Sequence, residues 1–228
     1  MPVHEPSGLL GTVEVIHWVA LGVMAVVYTM RIRWLLSFRA TRDRQAPGNP
    51  GRTDARRGAY YSLANVLMPW GMESTRRGFA FYLTFALFHL GVAAGIGLAF
   101  LSTLSRSFLQ IPIIANATMA LLLAAFAIGL YRIVRRVVRP VMRLISTPDD
   151  YFSVIMLTIW FLLGVFAEAS IVGRIEGDRY VIAYLLATSF FLLYVPFSKI
   201  SHYLYYPFTR YWLGRTLGHR GTFPLQRG

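Results

Sequence analysis

Residues 79–104 read FAFYLTFALFHLGVAAGIGLAFLSTL, twenty-six residues without one charged side chain. As a helix rising 1.5 Å per residue this run is about 39 Å long, more than the roughly 30 Å hydrocarbon core of a bilayer. Backbone groups left without partners in lipid are costly, so a run of this kind is expected to be a membrane-spanning helix. Four more stretches have similar character: Leu9–Met30, Phe108–Tyr131, Tyr151–Val172 and Tyr180–Ile200. The chain therefore reads as an all-α integral membrane protein, a bundle of five transmembrane helices forming a single membrane domain over residues 1–228. The first span is not expected to be a cleaved signal peptide, because no basic residue precedes it and Arg31 and Arg33 follow it.

Composition agrees. The chain is 56% hydrophobic and only 14% charged, where a soluble domain is about a quarter charged. It contains no cysteine, which removes disulfides, thiolate zinc sites and cysteine-ligated iron–sulfur clusters of its own. The net charge of +13 is segregated. Ten arginines lie in the connection 31–78, five in 132–143, and one lysine and four arginines follow from Lys199 onward. Only Arg106, Arg174 and Arg179 lie on the other side. Under the positive-inside rule this places the N-terminus outside and the C-terminus in the cytoplasm. No nucleic-acid partner is expected, since no basic soluble domain is present to carry one.

The spacing between spans organises the rest. Short outer turns at Ser105–Ser107 and Gly173–Arg179 predict two antiparallel hairpins. Residues 31–78 form a long basic cytoplasmic loop, with a turn-rich stretch at Ala46–Gly51. Its apolar piece Tyr60–Met72 is too short to span, so it either lies in the interface or docks a partner. Residues 203–228 form a cytoplasmic tail. Thr147 and Asp150 are suited to cap the fourth span. Pro196 is expected to bend the fifth, with the helix continuing beyond it to His202.

Reactive side chains within the spans are few. His89 lies about ten residues into the second span, and His202 follows the fifth. A neutral imidazole is the common axial ligand of low-spin haem iron, and two from facing helices would hold one b-type haem. Gly91 and Gly95 follow His89 one helical turn apart, where small residues admit either a macrocycle or another helix. Lys199, Arg132 and Arg135 lie near the cytoplasmic surface, either as partners for haem propionates or as determinants of topology. On the outer side, His17 in the first span, beside Glu14, and Glu168 in the fourth are groups able to exchange protons with a quinone head group, with Trp160 and Tyr184 as aromatic lining. The alternative is that His17 and Glu168 satisfy each other. A second haem on His17 would require a partner such as Met24 or Met119. His4 and His219 are expected to be solvated.

Two of these segments carry a family resemblance. The segment from His89 to Phe100 resembles the second helix of the gamma subunit of respiratory nitrate reductases, where a Phe-His-x-Gly sequence supplies a haem ligand. Pro196-Phe-Ser-Lys-Ile-Ser-His202 is similar to that family's motif on its fifth helix. Asp150-Tyr-Phe and Leu163-Gly164 also fit, as do five helices and an outside N-terminus. Related membrane cytochromes accompany heterodisulfide-reductase-like and sulfite-reduction-associated complexes. The resemblance departs at the family's second pair of haem histidines, whose positions here are Ala99 and Tyr184. It therefore implies retention of one haem b, held by His89 and His202, in a bacterial or archaeal cell membrane. The implied function is the membrane-anchor cytochrome b subunit of a quinone-linked redox complex. Electrons would pass between quinone and a cytoplasmic-side iron–sulfur subunit, with the terminal reaction on another subunit. The rival readings are an anchor with a structural or absent haem and a small transporter component. A transporter would be expected to show broken helices or internal symmetry, and the sequence shows no repeat.

Overall fold

The computed structural model describes residues 8–38, 43–68 and 73–225. His4 and residues 69–72 of the apolar piece lie outside the described residues. The described elements are α1 Gly8–Ser37, α2 Ala55–Ala64, α3 Glu73–Arg77, α4 Phe79–Leu104 and α5 Arg106–Leu109, followed by α6 Pro112–Val138, α7 Pro140–Ile145, α8 Pro148–Ile171, α9 Arg179–Tyr194 and α10 His202–His219. No strand occurs among the described residues. Among the described residues five helices are long and apolar enough to cross a membrane: α1, α4, α6, α8, and α9 with the turn that ends at Phe197. By helix length and composition this is a multi-pass membrane protein.

The single membrane domain read from the sequence divides into two compact units. One comprises Met1–Tyr28 and Leu83–Lys199, the other Thr29–Tyr82 and Ile200–Gly228. The basic loop and the tail, expected as separate cytoplasmic segments, belong together in the second unit. The reason is a glycine seam. Gly58 and Ser62 on α2 meet Gly214 and Gly218 on α10 so closely that a Cβ on Gly58 would lie 2.4 Å from the Gly214 carbonyl oxygen. Small residues one turn apart let two backbones approach, as they do between membrane helices. The Asp54 N–H donates to the Gly218 carbonyl at 3.0 Å, and Arg210 Nε donates to the Ser62 carbonyl at 3.1 Å. The apolar piece beginning at Tyr60 is thus partly the C-terminal half of α2, with Ser62 and Asn65 buried.

A polar tie closes the same unit. Arg220 Nε donates to Asp43 Oδ2 at 2.5 Å, and the Arg220 carbonyl accepts the N–H groups of Gly48 and Asn49 at 3.1 and 3.4 Å. The Arg220 hydrogen bond holds the Asp43 carboxyl below the usual carboxylate range and raises the guanidinium in turn. A carboxyl depressed in the folded chain stabilises it above its unfolded pKa of about 4 and loses that contribution as pH falls through the lower folded value. The tie is therefore complete at neutral pH. The Gly48 and Asn49 amides are expected to exchange faster, after correction for intrinsic rates, as pH drops below the carboxylate range. Asp43→Asn should show the faster exchange at every pH. The change is small, as for most ion pairs near a surface.

In the first unit the expected cap is present. The Asp150 carboxylate accepts from the backbone N–H and the hydroxyl of Thr147, at 2.7 and 2.9 Å. Pro196 does more than bend the fifth span. After Tyr194 the chain passes through two short 3-10 turns, Val195–Phe197 and Lys199–Ser201, with Ser198 extended between them. Proline has no N–H for the ladder and its ring crowds the preceding turn, so the helix ends there. His202 opens a new helix, α10, and does not extend α9.

Candidate functional site

His89 stands on the exposed side of α4. Its Nδ1 lies 2.8 Å from the Phe85 carbonyl oxygen, and its ring packs 4.2 Å from the Phe85 ring centroid. A carbonyl can only accept, so Nδ1 carries the proton and Nε2 the lone pair. Metal-bound imidazoles commonly have this tautomer, with the second nitrogen donating to a backbone carbonyl. His202, also exposed, belongs to the second unit, whereas His89 belongs to the first. Among the described residues no three histidine or carboxylate side chains gather as a metal-ligand cluster.

The two glycines after His89 are taken by helix packing. A Cβ on Gly91 would lie 2.2 Å from the Ala125 methyl of α6, and one on Gly95 would lie 2.4 Å from the Trp160 ring of α8. At both positions a neighbouring helix packs against the glycine.

Trp160 in turn stacks on Tyr184 of α9, with centroids 5.6 Å apart and planes 17° from parallel. The indole Nε1 donates to Thr188 Oγ1 at 2.8 Å, and the Tyr184 hydroxyl donates to the Gly95 carbonyl. Ala99, one turn beyond Gly95, is also buried. Stacked rings and small residues thus fill the interior at the two positions where the resembling family has its second pair of histidines. Trp160 and Tyr184 are core partners of each other here. Their pairing was not legible because neither stands in a motif.

The cationic candidates are engaged. The Arg132 guanidinium lies 4.1 Å from the centroid of Phe88, next in sequence to His89. Lys199 Nζ donates to Thr147 Oγ1 at 2.8 Å and pairs with Asp150 at 3.2 Å, which adds it to the cap of α8. Arg135 stands in the last turn of α6, partly buried.

His17 and Glu168 are the unusual groups of the first unit. They are 1% and 0% exposed, and neither imidazole nitrogen nor carboxyl oxygen has a hydrogen-bond partner. The alternative, that the two side chains satisfy each other, does not hold, since no hydrogen bond joins them. His17 continues the buried stripe Leu10, Val13, Ala20 on α1 and meets Phe100 of α4 edge-on at 6.4 Å. Glu14, beside His17 in the sequence, pairs instead with Arg106 at 3.4 Å. The Met119 sulfur accepts a contact from Arg174 at 3.6 Å. A buried polar atom without a partner costs about 1–3 kcal/mol, so each of these side chains marks a position that a polar group would stabilise.

No family model matches the chain, and no solved structure matches it. A protein of Nitratidesulfovibrio vulgaris whose activity is uncharacterised is 27% identical over 201 residues, an alignment covering 86% of this chain and 88% of that protein.

Proposed function

We propose that this protein is the membrane-anchor cytochrome b subunit of a quinone-linked redox complex in a bacterial or archaeal cell membrane. The N-terminus lies outside and the C-terminus in the cytoplasm, as the arginine distribution requires. One b-type haem, held by His89 and His202, would supply one-electron transfer between quinone and an iron–sulfur subunit at the cytoplasmic face. The observation that carries the reading is His89: its Nδ1 lies 2.8 Å from the Phe85 carbonyl oxygen, the backbone contact commonly made by a metal-bound imidazole. The filled interior at Ala99 and Tyr184 supports one haem in preference to two.

The protein's own residues have defined tasks in this scheme. Phe85 orients the His89 ring. Arg132, held over Phe88, places a positive charge on the same turn of the bundle. Arg52, in the turn before α2, and Arg56 and Arg57, in its first turn, are exposed and offer guanidinium groups to an acidic iron–sulfur partner. His17 and Glu168 exchange protons with the quinone head group, which also provides the hydrogen bonds they lack.

The test is quinol-driven haem reduction. His17→Ala and Glu168→Gln are each expected to slow it on the order of 10²-fold, the usual loss on removing a positioned acid or base, with the haem spectrum unchanged. Reduction at the unmodified rate in both variants would send the quinone elsewhere. Loss of haem in His17→Ala would make His17 a ligand.

A further inference from the structure

The geometry points to α10, with the C-terminal end of α1, as a binding surface for anionic phospholipid headgroups. This goes beyond the redox reading and holds with or without it.

Depth comes first. α1 is 30 residues long, about 45 Å of helix against a hydrocarbon core of roughly 30 Å. Residues 31–37, beyond the apolar run, add about 10 Å of helix, enough to enter a headgroup layer. The apolar run ends at Met30, and Arg31 and Arg33 follow it, which places these two guanidinium groups at headgroup depth. Arg31 Nη1 donates to the Tyr205 hydroxyl of α10 at 3.2 Å. The start of α10 is thereby held at that depth.

The composition of α10 suits that layer. Six of its eighteen residues are aromatic. Gly214 and Gly218 face α2, while Tyr211 and Trp212, each 49% exposed, point elsewhere together with exposed Arg215. Trp34 and Phe38 are likewise exposed at the end of α1. Tryptophan and tyrosine concentrate at the membrane–water boundary because each joins an apolar ring to a polar group. The Arg215 guanidinium lies 5.9 Å from the Tyr211 ring centroid, which keeps the charge beside the aromatic surface.

Charge selects the occupant. The second unit has ten arginines in 29–82 and four in 200–228, against three carboxylates, Asp43, Asp54 and Glu73. Asp43 is held by Arg220 and Glu73 by Arg77. A zwitterionic surface offers this excess no net partner, whereas an anionic leaflet attracts each arginine enough for a roughly fivefold preference.

The absence of cysteine makes the test direct. Thr216 lies one turn after Trp212 and away from the glycine seam, so Thr216→Cys in the full-length chain gives a single thiol for a bimane label. The labelled protein is placed in nanodiscs containing phosphatidylglycerol or phosphatidylcholine brominated high on the acyl chain, at equal mole fraction. Both lipids should quench the label, and phosphatidylglycerol about fivefold more effectively. That preference should fall measurably when Arg33→Gln and Arg215→Gln are combined, with helicity unchanged. Equal quenching by the two lipids would overturn the selectivity. Quenching only by a water-soluble quencher would place α10 away from lipid. Protection that arises only when an acidic iron–sulfur protein is added would make the surface a protein-docking face.

Discussion

Replacing His89 with alanine is expected to abolish the low-spin b-type spectrum of the purified protein, with haem content falling from one per chain to near zero. The same loss is expected for His202→Ala, and none for His219→Ala, whose imidazole ends α10 at an exposed position. His89 is favourable for this test because it is exposed on α4. Truncating it opens no internal cavity, so the several kcal/mol that follow deletion of a packed side chain do not apply. Spectral loss with helicity and membrane insertion unchanged therefore reports a missing ligand and not a collapsed bundle. Free imidazole added to His89→Gly should restore part of the spectrum, which a purely structural role would not allow. A full low-spin spectrum in either alanine variant would remove that histidine from the ligand set. Two haems per native chain would show that His17 or another group has been recruited.

The spans were legible because lipid imposes simple rules, but several of their ends were not: α1 runs on to Ser37, α6 is Pro112–Val138, and α9 stops at Tyr194. Each apolar run exceeds bilayer thickness, and the Thr147–Asp150 cap has the residue types and spacing that orphan N–H groups require. Polar groups within the spans also stand out in a sequence, which is how His17, Glu168 and His89 were found. What they lack or touch was not legible. The orphaned state of His17 and Glu168 depends on the rotation of α1 and α8 about their axes, and span hydropathy carries no such information. The pairing of α2 with α10 escaped for a different reason. Its seam consists of Gly58, Ser62, Gly214 and Gly218, so it has no apolar stripe, and its two halves lie in segments whose arginines dominate any reading of charge. The Gly214-x-x-x-Gly218 spacing was the available signal. Pro196 announced a disturbance, but whether a helix bends or ends there depends on what the next residues can bond to. Here Ser198 is extended after the proline turn, and its hydroxyl donates to the Val195 carbonyl at 3.1 Å.

Gly214→Leu is expected to undo the second unit. A Cβ at this position would lie 2.5 Å from the Gly58 carbonyl oxygen, 2.6 Å from Ser62 Cβ and 2.7 Å from Ala59 Cα. Two of these atoms are backbone and the third is tied directly to it, so no flexible side-chain end can yield and the helices must part. Overpacking a well-filled contact costs about 1–3 kcal/mol. A leucine here should reach the upper end of that range, because separation also lengthens the Asp54–Gly218 and Arg210–Ser62 hydrogen bonds. Gly97→Leu is the matched control, since nothing lies within 4 Å of a Cβ there and leucine is the better helix former. Amide exchange should accelerate through α2 and α10 in the first variant and stay unchanged in the second. If the iron–sulfur subunit docks on the arginines of α2, Gly214→Leu should also release it, and Gly97→Leu should retain it. Deleting the chain after Pro207 would act in the same way, because it removes the helix that α2 packs on and not merely a loose tail. Equal protection of α2 in the Gly214 and Gly97 variants would mean that the glycine seam does not hold the unit together. Unchanged docking after a demonstrated loss of α2 protection would move the partner to the Arg132–Arg143 connection, the other arginine-rich stretch assigned to that side of the membrane.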